Sequence, residues 1–277
     1  MNATVVIGAG VVGLSVALAL QAQGRPVRVI DRKGVAAEAS AANAGAFAFA
    51  DIEPLATPGI MRRAPKWLLD PLGPLSIPAG YALPIAPWMW RFWRASRPAR
   101  YAAAVEAQAR LMDVSRAALD RLIADLDAEA LIQRDGQLSL YEGEDDFAAA
   151  QPAWALRRRH GVAFTLLDRA EAIAEIQPGL APRFTHAGYT PDWINTVDPK
   201  RWTERIAQTV RQRGGTIETA DVVALQPNAD GVALVTPDGA QSAEQVVVAA
   251  GAWSHHLART VGDRIPLETE RGYNTTL

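Results

Sequence analysis

Short apolar and polar runs alternate over the first thirty residues in a pattern that predicts a strand, a helix and a second strand. Ala3 to Ile7 is brief, apolar and β-branched, as a buried parallel strand requires. Val11 to Gln23 is rich in Ala and Leu and predicts a helix, stopped by Gly24 where the helix end needs a left-handed residue. Pro26 and the run Val27 to Asp31 predict the second strand, completing a βαβ unit that starts a doubly wound sheet. The middle of the chain has another character. Pro54 to Pro98 is crowded with proline and tryptophan and predicts irregular structure with short helices. Tyr101 to Ile132 predicts a long helix with Leu111, Val114, Ala118 and Leu122 on one face. Beyond it, Gln137 to Tyr141 reads as a strand, Asp145 to His160 as a helix and Val162 to Leu167 as a strand. Ala170 to Ile176 follows as a short helix, and Phe184 to Asn195 as strand and turn.

Asp198-Pro199 announces a further helix, with Asp as N-cap and Pro at the first helical position, ending at Gly214-Gly215. A β-meander is expected next: Ile217 to Leu225, a turn at Asn228 to Gly231, Val232 to Thr236, and a turn at Pro237 to Gly239. Gln245 to Gly251 has the unbroken apolar character of a strand returning to a parallel sheet. The organisation is therefore interleaved: nucleotide domain, large insertion, nucleotide domain again. Glu268 to Leu277 reads as a strand just beginning, and an open edge there would invite pairing with other chains. The expectation is a piece of a longer protein.

Composition removes several functions. At 277 residues and 49% hydrophobic, the chain has ample apolar material for one large domain or two ordinary ones. A net charge of -2 gives no reason to expect a nucleic-acid partner. Without cysteine, these residues hold no disulfide, no thiolate nucleophile and no sulfur-ligated metal. His160, His186, His255 and His256 lack metal-ligand spacing, so no metal is expected. Adjacent helical histidines point in different directions, so His255-His256 reads as solvated surface. Thr4 to Leu20 carries no charge, but it lacks a basic leader, is short for a span and is cut by glycines. A cytoplasmic strand–turn–helix explains it better.

The chemistry concentrates at Gly8-Ala9-Gly10-Val11-Val12-Gly13. The first glycine allows a tight turn, the second lets the backbone approach a pyrophosphate, and the third lets helix and strand pack closely. Phosphates would then meet the free N–H groups and positive end of the following helix. Asp31 ends the second strand, where a carboxylate accepts hydrogen bonds from a ribose 2′-hydroxyl and repels a 2′-phosphate. Strand, glycine turn, helix, strand and terminal acid together point to a dinucleotide, and leave NAD and FAD both open.

Four stretches narrow the choice. GAGVVGLSVALALQAQG (Gly8 to Gly24), VIDR (Val29 to Arg32), SAANAG (Ser40 to Gly45) and VVVAAGAWS (Val246 to Ser254), in this order, resemble the D-amino-acid oxidase/dehydrogenase superfamily of FAD-dependent oxidoreductases, most of all its D-amino-acid dehydrogenase-like branch. The resemblance runs the length of the chain and is weak between Pro54 and Asn195. It implies an α/β fold: a Rossmann-like FAD-binding domain (1–58 plus 197–256) interleaved with an α+β substrate domain on an antiparallel sheet (59–196 plus 257–277). It implies non-covalent FAD, with Gly8, Gly10, Val12 and Gly13 at the pyrophosphate, Asp31 at the adenosine ribose and Arg32 alongside. Ser40, Asn43, Ala44 and Gly45 would line the path toward the flavin ring, and Val222 would offer its backbone to the adenine. Ala250, Gly251 and Trp253 would sit where the returning strand passes the cofactor. Read without the resemblance, Ser40 and Asn43 are ordinary loop residues.

The implied reaction is oxidation of the amine of a small amino acid, the α-hydrogen leaving as hydride to flavin N5. The imino acid then hydrolyses to a 2-oxo acid and ammonia. A substrate carboxylate wants an arginine fork with a tyrosine hydroxyl. Arg271-Gly272-Tyr273 is the local candidate, against a strand-edge surface arginine, and Tyr189 is a weaker one. Family members carry a final cofactor-binding stretch in a C-terminal part that does not match anything here. Two alternatives remain: oxidation of sarcosine-like N-methyl amines or 2-hydroxy acids, and a non-catalytic flavin-binding subunit or inactive fragment. In Trp88 to Arg94, the recurrence of Arg91, Arg94 and Arg97 sets charges beside Trp88, Trp90 and Trp93. Such a helix suits peripheral contact with the inner face of the cytoplasmic membrane and electron delivery to quinone or another acceptor, although packing over the substrate domain is the simpler reading.

Overall fold

The computed structural model describes residues 3–69, 77–267 and 269. The chain opens with β1 (Thr4–Ile7), α1 (Val11–Ala22) and β2 (Val27–Asp31), as the apolar pattern predicts. Gly24 adopts φ +76° just past α1, a conformation that only glycine enters without strain. A two-residue strand β3 (Ala46–Phe47) leads to α2 (Ile60–Leu69), α3 (Ala82–Ala95) and α4 (Pro98–Leu126). Within the Pro/Trp-rich stretch α3 runs through Pro87 for fourteen residues, longer than the short helices expected there.

Next come β4 (Ile132–Gln133), β5 (Gln137–Tyr141), α5 (Glu144–Arg159), β6 (Thr165–Leu167), α6 (Ala170–Ile176), β7 (His186–Thr190) and β8 (Ile194–Thr196). In α5, three acids in the first turn and three arginines in the last complement the helix dipole. The rest of the chain is α7 (Pro199–Gln212), β9 (Thr216–Thr219), β10 (Ala224–Asn228), β11 (Gly231–Thr236), β12 (Gly239–Ala243), β13 (Val246–Val248) and α8 (Ser254–Thr260). Asp198 caps α7, its Oδ1 accepting from Lys200 N at 2.8 Å and Arg201 N at 3.1 Å, and Pro199 is the first helical residue.

The chain divides into two compact units. Of the described residues, the first holds those up to Phe47, Leu122–Gln133 and those from Asn195 onward. Its centre is a parallel sheet in the order β13-β1-β2-β9. An antiparallel meander β10-β11-β12 is part of the same unit. Val5, Ile7, Ile30, Leu225, Leu234 and Leu257 share one apolar cluster, which ties sheet, meander and α8 together. One expectation is corrected here. Ile217 to Leu225 is not a single meander strand: its first part joins β2 in the parallel sheet as β9, and only Ala224 onward belongs to the meander.

The second unit comprises Ala48–Arg121 and Arg134–Ile194. It contains an antiparallel sheet β5-β7-β6, against which Trp154 of α5 packs so closely that Gly188 has no room for a Cβ. Ile52, Val105 and Leu156 form its apolar cluster. The buried stripe of α4 also differs from the expected one. Leu111 and Val114 are 59% and 66% exposed, whereas Val105, Leu119, Ile123 and Leu126 are buried. Both stripes have helical spacing, so periodicity alone could not rank them. The expected strand in Glu268 to Leu277 lies outside the described residues.

Candidate dinucleotide site

The first unit encloses a cavity of about 530 Å³, within the range of small-molecule sites. Its walls come from the carboxyl ends of all four parallel strands: Gly8 and Gly10 to Val12 after β1, Asp31 and Arg32 at β2, Ala220 to Val223 after β9, and Ala249 to Trp253 after β13. Ligands of open α/β sheets bind at that edge, where diverging connections leave a crevice.

Each glycine of the turn has its own steric reason. A Cβ on Gly8 would run into the Ala249 carbonyl, and φ there is +116°. On Gly13 it would strike the Gly8 carbonyl, so this glycine keeps α1 against β1 and lies behind the cavity wall. Gly10 is different: a Cβ would meet only Ser40 Oγ, at 2.9 Å. The residue lines the cavity and leaves room for a ligand to approach the backbone.

Leu14 is the first residue of α1 to bond within the helix, its N–H reaching Gly10 O at 3.0 Å. Val11 N–H donates to Ser40 Oγ at 2.9 Å. Among the described residues, the N–H groups of Gly10 and Val12, which line the cavity, are therefore left to solvent or ligand, at the positive end of the helix dipole. Ser40, accepting from Val11, keeps its hydroxyl proton to donate.

Asp31 does two jobs in the backbone. Its Oδ2 accepts from Ala9 N at 2.8 Å, fastening the glycine turn to the end of β2. Its Oδ1 accepts from Lys33 N at 2.8 Å and Gly34 N at 2.9 Å, shaping the turn beyond the strand. A carboxylate has about four lone-pair sites, so it can still receive a ribose hydroxyl. Arg32 reaches across the cavity rim: its Nη2 lies 2.9 Å from Glu38 Oε1, and its guanidinium 4.0 Å from the centre of the Trp253 ring. Lys33 Nζ is 2.6 Å from the same carboxylate oxygen. These two cations, hydrogen-bonding Lys33 foremost, hold the Glu38 carboxyl below the usual range. Val222 is buried in the wall, and Gly251 starts a short turn of 3-10 helix with φ +54°.

Of the residues expected in the site, Gly8, Gly10, Val12, Asp31, Arg32, Ser40, Val222, Ala250, Gly251 and Trp253 line this one cavity. Asn43, Ala44 and Gly45 do not. Asn43 instead ties its loop, accepting from Gly45 N at 2.8 Å and donating to Ala39 O at 2.9 Å. Gly45, at φ +66°, sits against Thr196 O, which a Cβ would meet at 2.8 Å. Arg271 and Tyr273 lie outside the described residues. Tyr189 is engaged in the second unit, its hydroxyl donating to Asp135 O at 3.1 Å.

Sequence reasoning missed Glu38, Asp221, Ser254 and His256 in the lining. The reading of His255-His256 as solvated surface is half corrected. The two rings lie 3.9 Å apart, centre to centre, and His255 is buried with Nδ1 2.7 Å from Ala252 O. His256 is exposed, but into the cavity. Loss of solvent around its ring, then the nearby His255 and Arg259 charges, hold its imidazole below the usual histidine range. Among the described residues no cluster of His, Asp or Glu could hold a metal ion. None of their helices is long and apolar enough to cross a membrane.

Known proteins match nearly the whole chain. The family model described as "DAO: FAD dependent oxidoreductase" matches residues 3–277. A D-amino-acid oxidase of Bradyrhizobium diazoefficiens is 31% identical over 98% of this chain and 65% of its own length. A D-amino acid dehydrogenase of Chromohalobacter salexigens is 32% identical over 98% of this chain and 66% of its own. The chain thus spans just under two thirds of the length of these relatives. Glycine oxidase from Geobacillus kaustophilus superposes with a TM-score of 0.69 at 20% identity, covering 94% of this chain and 58% of that one. L-proline dehydrogenase from P. horikoshii gives 0.64 at 18% identity, covering 94% and 56%; these two structures show the fold alone. The chain belongs to the DAO family of FAD-dependent oxidoreductases.

Proposed function

We propose that this protein oxidises the amine of a small D-amino acid, with FAD held non-covalently in the cavity of the first unit. The observation that carries the reading is the convergence of glycine turn, Asp31 and Val222 on one cavity at the carboxyl edge of the parallel sheet. The two curated relatives support the substrate class, being named for D-amino acids. The free N–H groups of Gly10 and Val12 and the Ser40 hydroxyl would bind the pyrophosphate, with Gly8 and Gly13 holding the turn tight against the strand behind it. Asp31 would take the ribose hydroxyls, Val222 the adenine, and Arg32 with Trp253 would close the rim. Ala250 and Gly251 would pass the backbone beside the cofactor. Asn43, Ala44 and Gly45 would shape the loop that leads on toward the flavin ring.

The bound flavin supplies acceptance of two electrons from the substrate Cα–H and amine, leaving an imine that water hydrolyses to a 2-oxo acid and ammonia. The protein's part is to orient that substrate. Arg271, with Tyr273, is proposed as the clamp for its carboxylate, because a guanidinium fork matches a carboxylate in two parallel hydrogen bonds. The test is anaerobic addition of substrates to the full-length, flavin-loaded protein. Loss of flavin absorption with D-amino acids supports this reading. Loss only with sarcosine or a 2-hydroxy acid replaces it by the alternative on the same scaffold, and a protein that takes up no flavin leaves a non-catalytic subunit.

A peripheral membrane contact, with quinone as acceptor, rests on α3. Trp88, Trp90 and Trp93 are 55%, 54% and 44% exposed, while Arg94 and Arg97 lie over the Trp90 and Trp93 rings at 4.6 and 4.7 Å. Tryptophan bodies with arginine heads suit the boundary between anionic headgroups and acyl chains. Co-sedimentation with anionic vesicles is expected to fall when Trp88, Trp90 and Trp93 are all replaced by Ser. Absence of binding by the unaltered protein rules this contact out.

A further inference from the structure

Among the wall residues that neither the glycine turn nor the ribose acid accounts for is a histidine. His256 lies one helical turn beyond Trp253, and both line the cavity. The next residue, Leu257, packs in the same apolar cluster as Val222 and Leu225, and Thr260 Oγ1 accepts from Leu225 N at 2.9 Å. The helix carrying His256 is thereby fixed to β10 and, through the apolar cluster, to Val222 in the segment just before it. The ring is also held. His255 is buried, and its Nδ1 faces the Ala252 carbonyl, which only accepts, so Nδ1 carries the proton. The His256 ring rests against this anchored neighbour at 3.9 Å.

We propose that His256 is a binding residue for the adenosine end of the cofactor, completing with Trp253 the wall of the cavity at Val222. The inference rests on the cofactor reading above and goes beyond it by assigning a side chain to adenosine recognition. A neutral imidazole offers one N–H donor and one acceptor, and the adenine edge and ribose hydroxyls offer the complementary pair. The lowered proton affinity of His256 keeps it in that neutral form at pH 7. The other charged groups lining the cavity are Asp31, Arg32, Glu38 and Asp221. Asp31, Glu38 and Asp221 as carboxylates only accept and Arg32 only donates, so none of them offers both a donor and an acceptor as a neutral imidazole does.

The test compares His256→Ala and His256→Asn in the full-length apoprotein, titrated with FAD and with ADP and followed by thermal melting. His256→Ala is expected to weaken both ligands by the same factor, about three- to tenfold for one lost hydrogen bond, with an unchanged apoprotein melting temperature. His256→Asn, which keeps a donor and an acceptor, is expected to recover most of the loss. Unchanged affinity overturns the proposal. So does a loss for FAD without one for ADP, which would place the contact on the flavin half. A loss shared by both variants and accompanied by a lower melting temperature would make the role structural. If the unaltered protein binds neither ligand, the cofactor reading falls and this inference with it; if it binds both and His256→Ala changes nothing, only this inference falls.

Discussion

Replacing the turn glycines by alanine one at a time separates folding from binding, because the three clash with different things. Gly10 has φ -81° and ψ 177°, an ordinary extended conformation, and its Cβ would meet only the tip of Ser40. Alanine there gains about 0.4–1 kcal/mol by restricting the unfolded chain and loses a comparable amount as a poorer N-cap. The methyl also crowds Ser40 Oγ away from the Val11 N–H, so stability should fall by no more than about 1.5 kcal/mol, or roughly 3–6 °C in melting temperature for a chain of this size. Binding should change far more. The added methyl stands where a phosphate approaches the Gly10 and Val12 N–H groups, and losing one hydrogen bond to a charged ligand costs about 1.5–3 kcal/mol, a ten- to hundredfold weaker Kd. Gly8→Ala must instead adopt φ +116° and displace the Ala249 carbonyl. Backbone strain and overpacking each cost about 1–3 kcal/mol. A drop of at least about 4 °C follows before any ligand is added. The assay is thermal melting of each apoprotein beside an FAD titration followed by flavin fluorescence. The reasoning is refuted if Gly10→Ala binds FAD as tightly as the unaltered protein, or if Gly8→Ala melts no lower than Gly10→Ala.

Other variants report on other parts of the account. Asp31→Ala removes the acceptor for Ala9, Lys33 and Gly34 N–H, so FAD should bind at least tenfold more weakly and the apoprotein should lose about 1–3 kcal/mol; unchanged FAD affinity takes Asp31 out of the site. The Glu38 carboxyl is held below its ordinary range, so the stability it contributes is present above the unfolded-state value and is lost as pH falls through the lower folded-state value. Glu38→Gln should therefore leave less acid-dependent loss of stability, and an identical acid limb in the two proteins would contradict the role of Arg32 and Lys33. Arg271→Lys should raise KM for the amino acid about tenfold or more while leaving FAD affinity alone; an unchanged KM removes Arg271 from the substrate clamp. NMR titration of His256 should give a midpoint below the usual histidine value, and an ordinary midpoint would contradict its cavity position.

What was legible in the chain follows the range of the interactions. β1, α1 and β2 could be read because their signals are local: a β-branched run, a glycine stop, a second apolar run. Asp198-Pro199 was read for the same reason, the cap and its N–H donors being two and three residues apart. Ile217 to Leu225 was misread because its apolar run does not record that the first half pairs with β2, almost 190 residues earlier, and the second half with β11. The buried stripe of α4 was misread because the helix carries two apolar stripes, and tertiary packing chose between them. In the site, the glycine turn and Asp31 carry a spacing rule, whereas Glu38 and His256 carry none. They meet the other residues only after four strands have aligned. Asn43 shows the converse: a polar residue in a motif, placed by its own loop rather than by the cavity.

The central claim is that this family member holds FAD in the cavity at the end of β1, β2, β9 and β13 without a covalent link. Acid precipitation of the purified full-length protein tests it directly, with the released nucleotide identified by chromatography. One FAD per chain, free in the supernatant, is the expected result. A protein that releases no flavin, or releases FMN in its place, would contradict the account.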